Sequence, residues 1–143
     1  MEIIARKKEG LEKLYIFAIC LSCVLIVIGV LFAPSSLEYI TYLVVGIILL
    51  IVSVNIYKKV KNTPTIIVQF DGETLICPDG NFPIREVSNV QFERAYNAKY
   101  HYKYSWGKLS IITNGIKHTY DFVEDIEQAQ TRLMQLILEN KEK

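Results

Sequence analysis

Two uninterrupted apolar runs, Leu14–Ala33 and Tyr39–Tyr57, constrain this chain more than anything else in it. Neither contains Asp, Glu, Lys or Arg. Each approaches the roughly 20 residues that a helix needs to cross a bilayer core. A helix on the surface of a soluble protein keeps a polar face at a period near 3.6, whereas both runs are apolar all round. Their many Val and Ile residues weaken a helix in water, but in hydrocarbon the backbone has no other hydrogen-bond partner, so helix is enforced. Only Pro34–Glu38 separates the runs, so the second helix must return directly beside the first. The expectation is a transmembrane α-hairpin with spans at about 14–33 and 39–57.

The charges around the runs orient them. Arg6, Lys7, Lys8 and Lys13 precede the first span, Lys58, Lys59 and Lys61 follow the second, and the connecting loop carries only Glu38. Cytoplasmic flanks hold the Lys/Arg excess, which places both termini in the cytoplasm and the loop outside. Tyr15, Tyr39, Tyr42 and Tyr57 lie near the span ends, where amphipathic rings favour the interface. The first run is too long for the apolar core of a usual signal peptide, and the segment reads as an uncleaved anchor. No Asp, Glu, Lys, Arg or His lies inside either run, so no intramembrane charge marks an ion pathway. Cys20 and Cys23 share a helix face and read as small packing residues rather than a redox pair.

The net charge of +1 hides an asymmetry. Residues 1–63 hold seven basic against four acidic residues, and residues 64–143 hold nine against eleven. A nucleic-acid-binding domain shows a strong basic excess, so that class is excluded for the C-terminal part.

After Pro64 the texture changes. Thr65–Phe70 and Glu73–Cys77 read as strands around an Asp71-Gly72 turn, followed by a turn at Pro78–Asn81. A short extended piece over Phe82–Arg85 and a strand over Val87–Arg94 follow. In Tyr96–Trp106, strict alternation puts Tyr100, Tyr102, Tyr104 and Trp106 on one face and Lys99, His101 and Lys103 on the other. Gly107 suggests a bulge. Leu109–Thr113 and Ile116–Phe122 flank an Asn114-Gly115 hairpin signal. Over Glu124–Glu139, Ile126, Ala129, Leu133, Leu136 and Ile137 recur at helical spacing. The chain thus divides into residues 1–63, the N-terminal segment and hairpin, and residues 64–143, about six antiparallel strands and one amphipathic helix.

Two short spans, a strand meander and a C-terminal helix resemble small bacterial membrane proteins with a pleckstrin-homology-like (PH-like) domain. The matching stretches are Ile84–Val90, Tyr104–Leu109 and Phe122–Ile126. The resemblance covers roughly residues 65–138. It implies an α+β membrane protein of the cytoplasmic (inner) membrane, whose bent seven-strand β-barrel is closed by the C-terminal helix. It implies no enzymatic activity and no metal.

The residues agree with that absence of chemistry. His101 and His118 lie in separate strands without metal-ligand spacing, and no phosphate-binding or nucleophile motif is present. No catalytic residue, metal ligand or cofactor is expected. The candidate interaction surface is Lys99, His101, Lys103, Trp106 and Lys108, with the aromatics either packing on the sheet or meeting an interface while the cations meet anionic headgroups. The expected function is a membrane-anchored scaffold or sensor that binds a protein partner or forms a homo-oligomer. The alternatives are an anionic-lipid-binding module and, by analogy of architecture alone, a self-protection protein of the envelope such as bacteriocin immunity.

Overall fold

The structure, a computed structural model, describes residues 1–32, 34 and 36–141. Ala33 at the end of the first expected span, Ser35 in the loop, and Glu142 and Lys143 at the C-terminus lie outside the described residues. The chain forms two compact units, one of Glu9–Asn62 and the other of Met1–Lys8 together with Thr63–Lys143.

The first unit is a pair of helices, α1 (Leu11–Phe32) and α2 (Leu37–Asn62), both long and apolar enough to cross a membrane. At 1.5 Å per residue they span about 33 and 39 Å. The helices meet where glycine removes the side chain. A Cβ on Gly29 would lie 2.7 Å from the Leu43 backbone nitrogen, and one on Gly46 would lie 2.8 Å from Ile26 Cγ1. Small residues of this kind let membrane helices approach closely. Ser22 is buried and returns its hydroxyl to the Ala18 carbonyl at 2.7 Å, so its polar atom is satisfied within its own helix. Cys20 and Cys23 are exposed on the helix surface, facing outward rather than packing within the pair.

The second unit holds seven strands and a helix. The first sheet has the order β1-β2-β3-β4, from β1 (Glu2–Arg6), β2 (Ile66–Phe70), β3 (Thr74–Cys77) and β4 (Gly80–Pro83). The second has the order β5-β6-β7, from β5 (Val87–Asn97), β6 (Tyr102–Thr113) and β7 (Ile116–Val123). All pairings are antiparallel. The strand that sequence reading misses is β1. It precedes the helices, yet Glu2 pairs with Phe70 and Arg6 with Ile66. The helical hairpin is therefore inserted between two neighbouring strands of one sheet, and the boundary drawn at residue 63 leaves out a strand that the domain uses.

A single bridge, Lys7 with Val123, links β1 to β7, backed by the bonds Lys8 N–H to Phe122 O (2.7 Å) and Glu124 N–H to Arg6 O (2.8 Å). On the opposite side a short 3-10 turn, Ile84–Glu86, carries the chain from β4 to β5, which belong to different sheets. The expected barrel is thus replaced by two sheets that do not close into one. That gap is filled by side chains instead of ladder hydrogen bonds. The C-terminal helix α3 (Ile126–Lys141) packs on β5, β6, β1 and the 3-10 turn. All five residues of its expected apolar stripe are buried, Ile126 and Leu133 completely. They share one core with Ala5, Ile67, Val68, Leu75, Ile84, Val87, Leu109, Ile111 and Val123.

Ion pairs tie β1 to α3 and the continuation of β1 to the segment that enters α3. Arg132 Nε and Nη2 donate to the two carboxylate oxygens of Glu2 at 2.6 and 2.9 Å, and Lys8 Nζ donates to Glu124 Oε1 at 2.6 Å. Both pairs are solvated, so the core contact of Ala5, 1 % exposed, is the stronger hold. Ala5→Glu is expected to destabilise this unit by about 3 kcal/mol or more, because a buried, unpaired carboxylate has no compensation. Residues 64–143 alone are expected not to fold, for want of β1. Circular dichroism and thermal melts of the full chain, the variant and the fragment check both, and a cooperatively melting fragment would show that β1 is dispensable.

Candidate functional site

The long β5–β6 hairpin carries every residue of the expected surface, and its geometry divides them. Strand alternation extends only to Asn97 on one side and Tyr102 on the other, which pair directly. Between them Asn97 Oδ1 accepts the backbone N–H groups of Lys99 (3.1 Å) and Tyr100 (3.4 Å), an Asx turn. His101 completes it in the left-handed region at φ 51°. Tyr100 therefore leaves the expected four-aromatic face and stands in the turn, 71 % exposed. Lys99 and His101 sit at the same tip. Lys99 Nζ lies 5.5 Å from the Tyr100 ring centroid, and His101 Nδ1 lies 2.9 Å from Tyr96 Oη.

Below the tip the strands have two faces. Leu109 and Ile111 point into the core, so by alternation Gly107 and Lys103 lie on that inner side, with Tyr102, Tyr104, Trp106 and Lys108 on the outer side. Lys103 is thus separated from Trp106 and Lys108. Gly107 has a clear role: a Cβ there would lie 2.0 Å from the Glu93 carbonyl oxygen, and the β5–β6 register shifts between Arg94 and Tyr96. The bulge expected at Gly107 is where the hairpin leaves the core.

The inner side forms a cleft of about 450 Å³ lined by Phe92, Glu93, Arg94, Tyr96, Lys103 and Glu127. Phe92 is 37 % and Tyr96 is 52 % exposed. One wall is fixed by the ion pair of Arg94 with Glu127, in the first turn of α3. Lys103 stands opposite Tyr96. Sequence reading selects Lys103 but not its partners Phe92, Arg94 and Tyr96, because only the pairing register brings β5 beside them.

The outer side carries a row of rings. Centroid separations are 5.0 Å for Tyr102–Tyr104, 5.9 Å for Tyr104–Trp106 and 6.3 Å for Trp106–Phe122. Phe122 reaches the row because it adopts φ 62°, so that Tyr120 and Val123 both face the core while Phe122 is only half-buried. Each contact of this type contributes about 0.5–1.5 kcal/mol. The row is surface packing, not core.

A second cluster escapes sequence reading altogether. His118 Nδ1 lies 2.6 Å from Asp79 Oδ2, and Tyr120 Oη donates to Asp79 Oδ1. The Phe82 ring sits 4.4 Å from the His118 ring, and Cys77 is buried beside Tyr120. His118 and Tyr120 are two apart on β7, opposite Ile111 and Leu109, so both turn inward. Asp79 lies in the turn between β3 and β4, and the cluster fastens the first sheet to the second. The His118-x-Tyr120 spacing was visible, but nothing local pointed to an aspartate 39 residues away.

The electrostatics suit a fastening rather than a reaction. Burial pushes the Cys77 thiol up to about 11, so it stays protonated and unreactive at neutral pH. Burial and the Asp79 carboxylate both hold the Tyr120 hydroxyl well above its usual range. Burial alone would raise Asp79, but the hydrogen bonds from Tyr120 and His118 outweigh it and hold the carboxyl below its ordinary 3.8. Among the described residues, no three His, Cys, Asp or Glu side chains gather in a group that would hold a metal ion. A depressed folded-state carboxyl adds stability that is present above its unfolded value and lost as pH falls through the folded one. Asp79→Asn is therefore expected to lower the melting temperature at neutral pH and to flatten its fall below about pH 4. Melts of both forms from pH 7 to pH 2 check this, and parallel acid limbs would remove Asp79 from the account.

No family model, no curated protein and no solved structure matches the chain.

Proposed function

We propose that the protein is a non-catalytic scaffold or sensor, held in the inner membrane of a bacterium by α1 and α2, whose cytoplasmic domain is PH-like and binds a protein partner. The PH-like reading draws support from seven strands in sheets of four and three, followed by one C-terminal helix. The orientation draws support from the Lys/Arg residues on both outer flanks of the helical pair.

The binding reading is carried by the cleft beside β5. Phe92 and Tyr96 expose apolar area between the fixed Arg94–Glu127 pair and the exposed Lys103. Aromatic and Arg side chains dominate the energetic centres of protein interfaces. β5 is also the edge of its sheet, open to an extended segment that adds a strand. The favoured partner presents such a segment with an acidic residue toward Lys103.

A photo-crosslinking amino acid at Tyr96, with one at the exposed Ile116 as control, tests this in intact cells. The expected outcome is one discrete protein adduct from position 96, absent from position 116 and lost when Lys103→Glu is added. The adduct's identity must then be confirmed by binding of the purified partner to the full-length chain in detergent. No discrete adduct, or an adduct unaffected by Lys103→Glu, would overturn the reading.

A further inference from the structure

We infer that the outer face of the β5–β6 hairpin, running from Tyr102 through Trp106 to Phe122, lies against the lipid–water interface of the membrane that α1 and α2 span. This rests on the membrane reading of the helices and is independent of the protein partner proposed for the cleft, which lies on the opposite face.

The first observation is the row itself. Four rings stand in contact with one another on the outside of a sheet, with Tyr102 58 % exposed and Tyr100 beyond it at the tip 71 % exposed. Tyr104, Trp106 and Phe122 are partly exposed, so the rings form a contiguous accessible patch of the kind that marks interaction sites. Three of the four ring residues in the row are Tyr or Trp, the types that pair an apolar body with a polar edge and concentrate at the headgroup level.

Charge points the same way. From Ala95 to Lys108 the chain has no Asp or Glu, and it carries Lys99 at the tip and Lys108 at the base of this face, while Lys103 faces the cleft. Lys99, stacked at the Tyr100 ring, leads the tip. The acids on this face lie at the base of the row: Glu93 is opposite Lys108 in the strand register, and Asp121 Oδ1 lies 4.0 Å from the Lys108 ammonium. The distal end is left aromatic with Lys99 at its tip and no acid beside it, complementary to anionic headgroups.

The third observation is the covalent tether. Phe122, at the base of the row, gives its backbone carbonyl to the N–H of Lys8 at 2.7 Å. Lys8 is the last residue of the β unit before the chain continues through Glu9 and Gly10 into α1. The row thus begins at the strand that leads into the membrane helix. A surface tethered in this way meets lipid at a far higher effective concentration than a partner diffusing in solution.

Trp106 is the single tryptophan of the chain, so the unmodified full-length protein reports its own position. It would be reconstituted into vesicles of phosphatidylcholine and phosphatidylglycerol, with and without lipids brominated near the headgroup end of the acyl chains. The expected result is loss of Trp106 emission in the brominated vesicles and weaker quenching by aqueous acrylamide than in detergent. Lys99→Glu combined with Tyr102→Glu, both at exposed tip positions, is expected to lessen the bromolipid quenching without changing the circular dichroism spectrum. Equal emission in brominated and plain vesicles would overturn the inference. Acrylamide protection that rises with protein density, without bromolipid quenching, would overturn it in favour of a second copy of the chain.

Discussion

The pairing of β1 with β2 is the interaction on which the architecture depends. It joins residues 2–6 to residues 66–70, with two apolar helices in the interval. Closing so long an interval as a flexible loop would carry a substantial entropic cost. Here the interval is a helical pair packed through Gly29 and Gly46, whose antiparallel course returns the chain toward its start. Within the β unit the two ends of the insertion lie side by side, since Lys7 N–H bonds Thr65 O at 2.9 Å and Lys7 Nζ bonds Thr63 O at 3.1 Å. The helical pair takes the place of the short turn that usually links adjacent antiparallel strands.

From that pair the rest of the β unit follows by side-chain burial. Ala5 extends the core to the strand that precedes the helices. The β1–β7 bridge links the sheets along one side, and on the other the stripe of α3 supplies apolar contact where no ladder forms. The Asp79–His118–Tyr120 cluster fastens the sheets through polar groups. Its groups satisfy one another, which is what makes their partial burial tolerable.

The distal half of the β5–β6 hairpin lies outside the core, while its proximal half supplies Val87, Val90, Leu109 and Ile111 to it. Beyond Gly107 its strands project with side chains exposed on both faces, and no residue from Tyr102 to Trp106 is fully buried. These eleven- and twelve-residue strands, the longest among the described residues, carry Tyr, Trp, Lys and Arg on a surface outside the core. Such an element is available for binding, and its two faces offer different chemistry: a cleft with a fixed ion pair inside, and a ring row with a cationic tip outside.

Much of this was legible in order along the chain. The two membrane-length helices were read from runs without charge, the Asn114-Gly115 turn from its residue types, and the buried stripe of α3 from its period. These are local properties, set by backbone hydrogen bonding and hydrophobic spacing within a few turns. The strand Glu2–Arg6 was not legible, because a charged five-residue segment becomes a strand only when a distant edge accepts its hydrogen bonds. Nor was the tip at Ala98–His101, where an Asx turn at Asn97 interrupts an alternation that the residue types alone would continue. The residues of the candidate surface fall on one hairpin but not on one face, since strand register decides which of Lys103, Trp106 and Lys108 share a face. By itself the sequence determined the helices, the approximate strands and the amphipathic cap. Only the tertiary structure decided that the domain begins before the two long apolar helices, that the sheets remain two, and which side chains meet across them, because each depends on contacts between residues far apart in the chain.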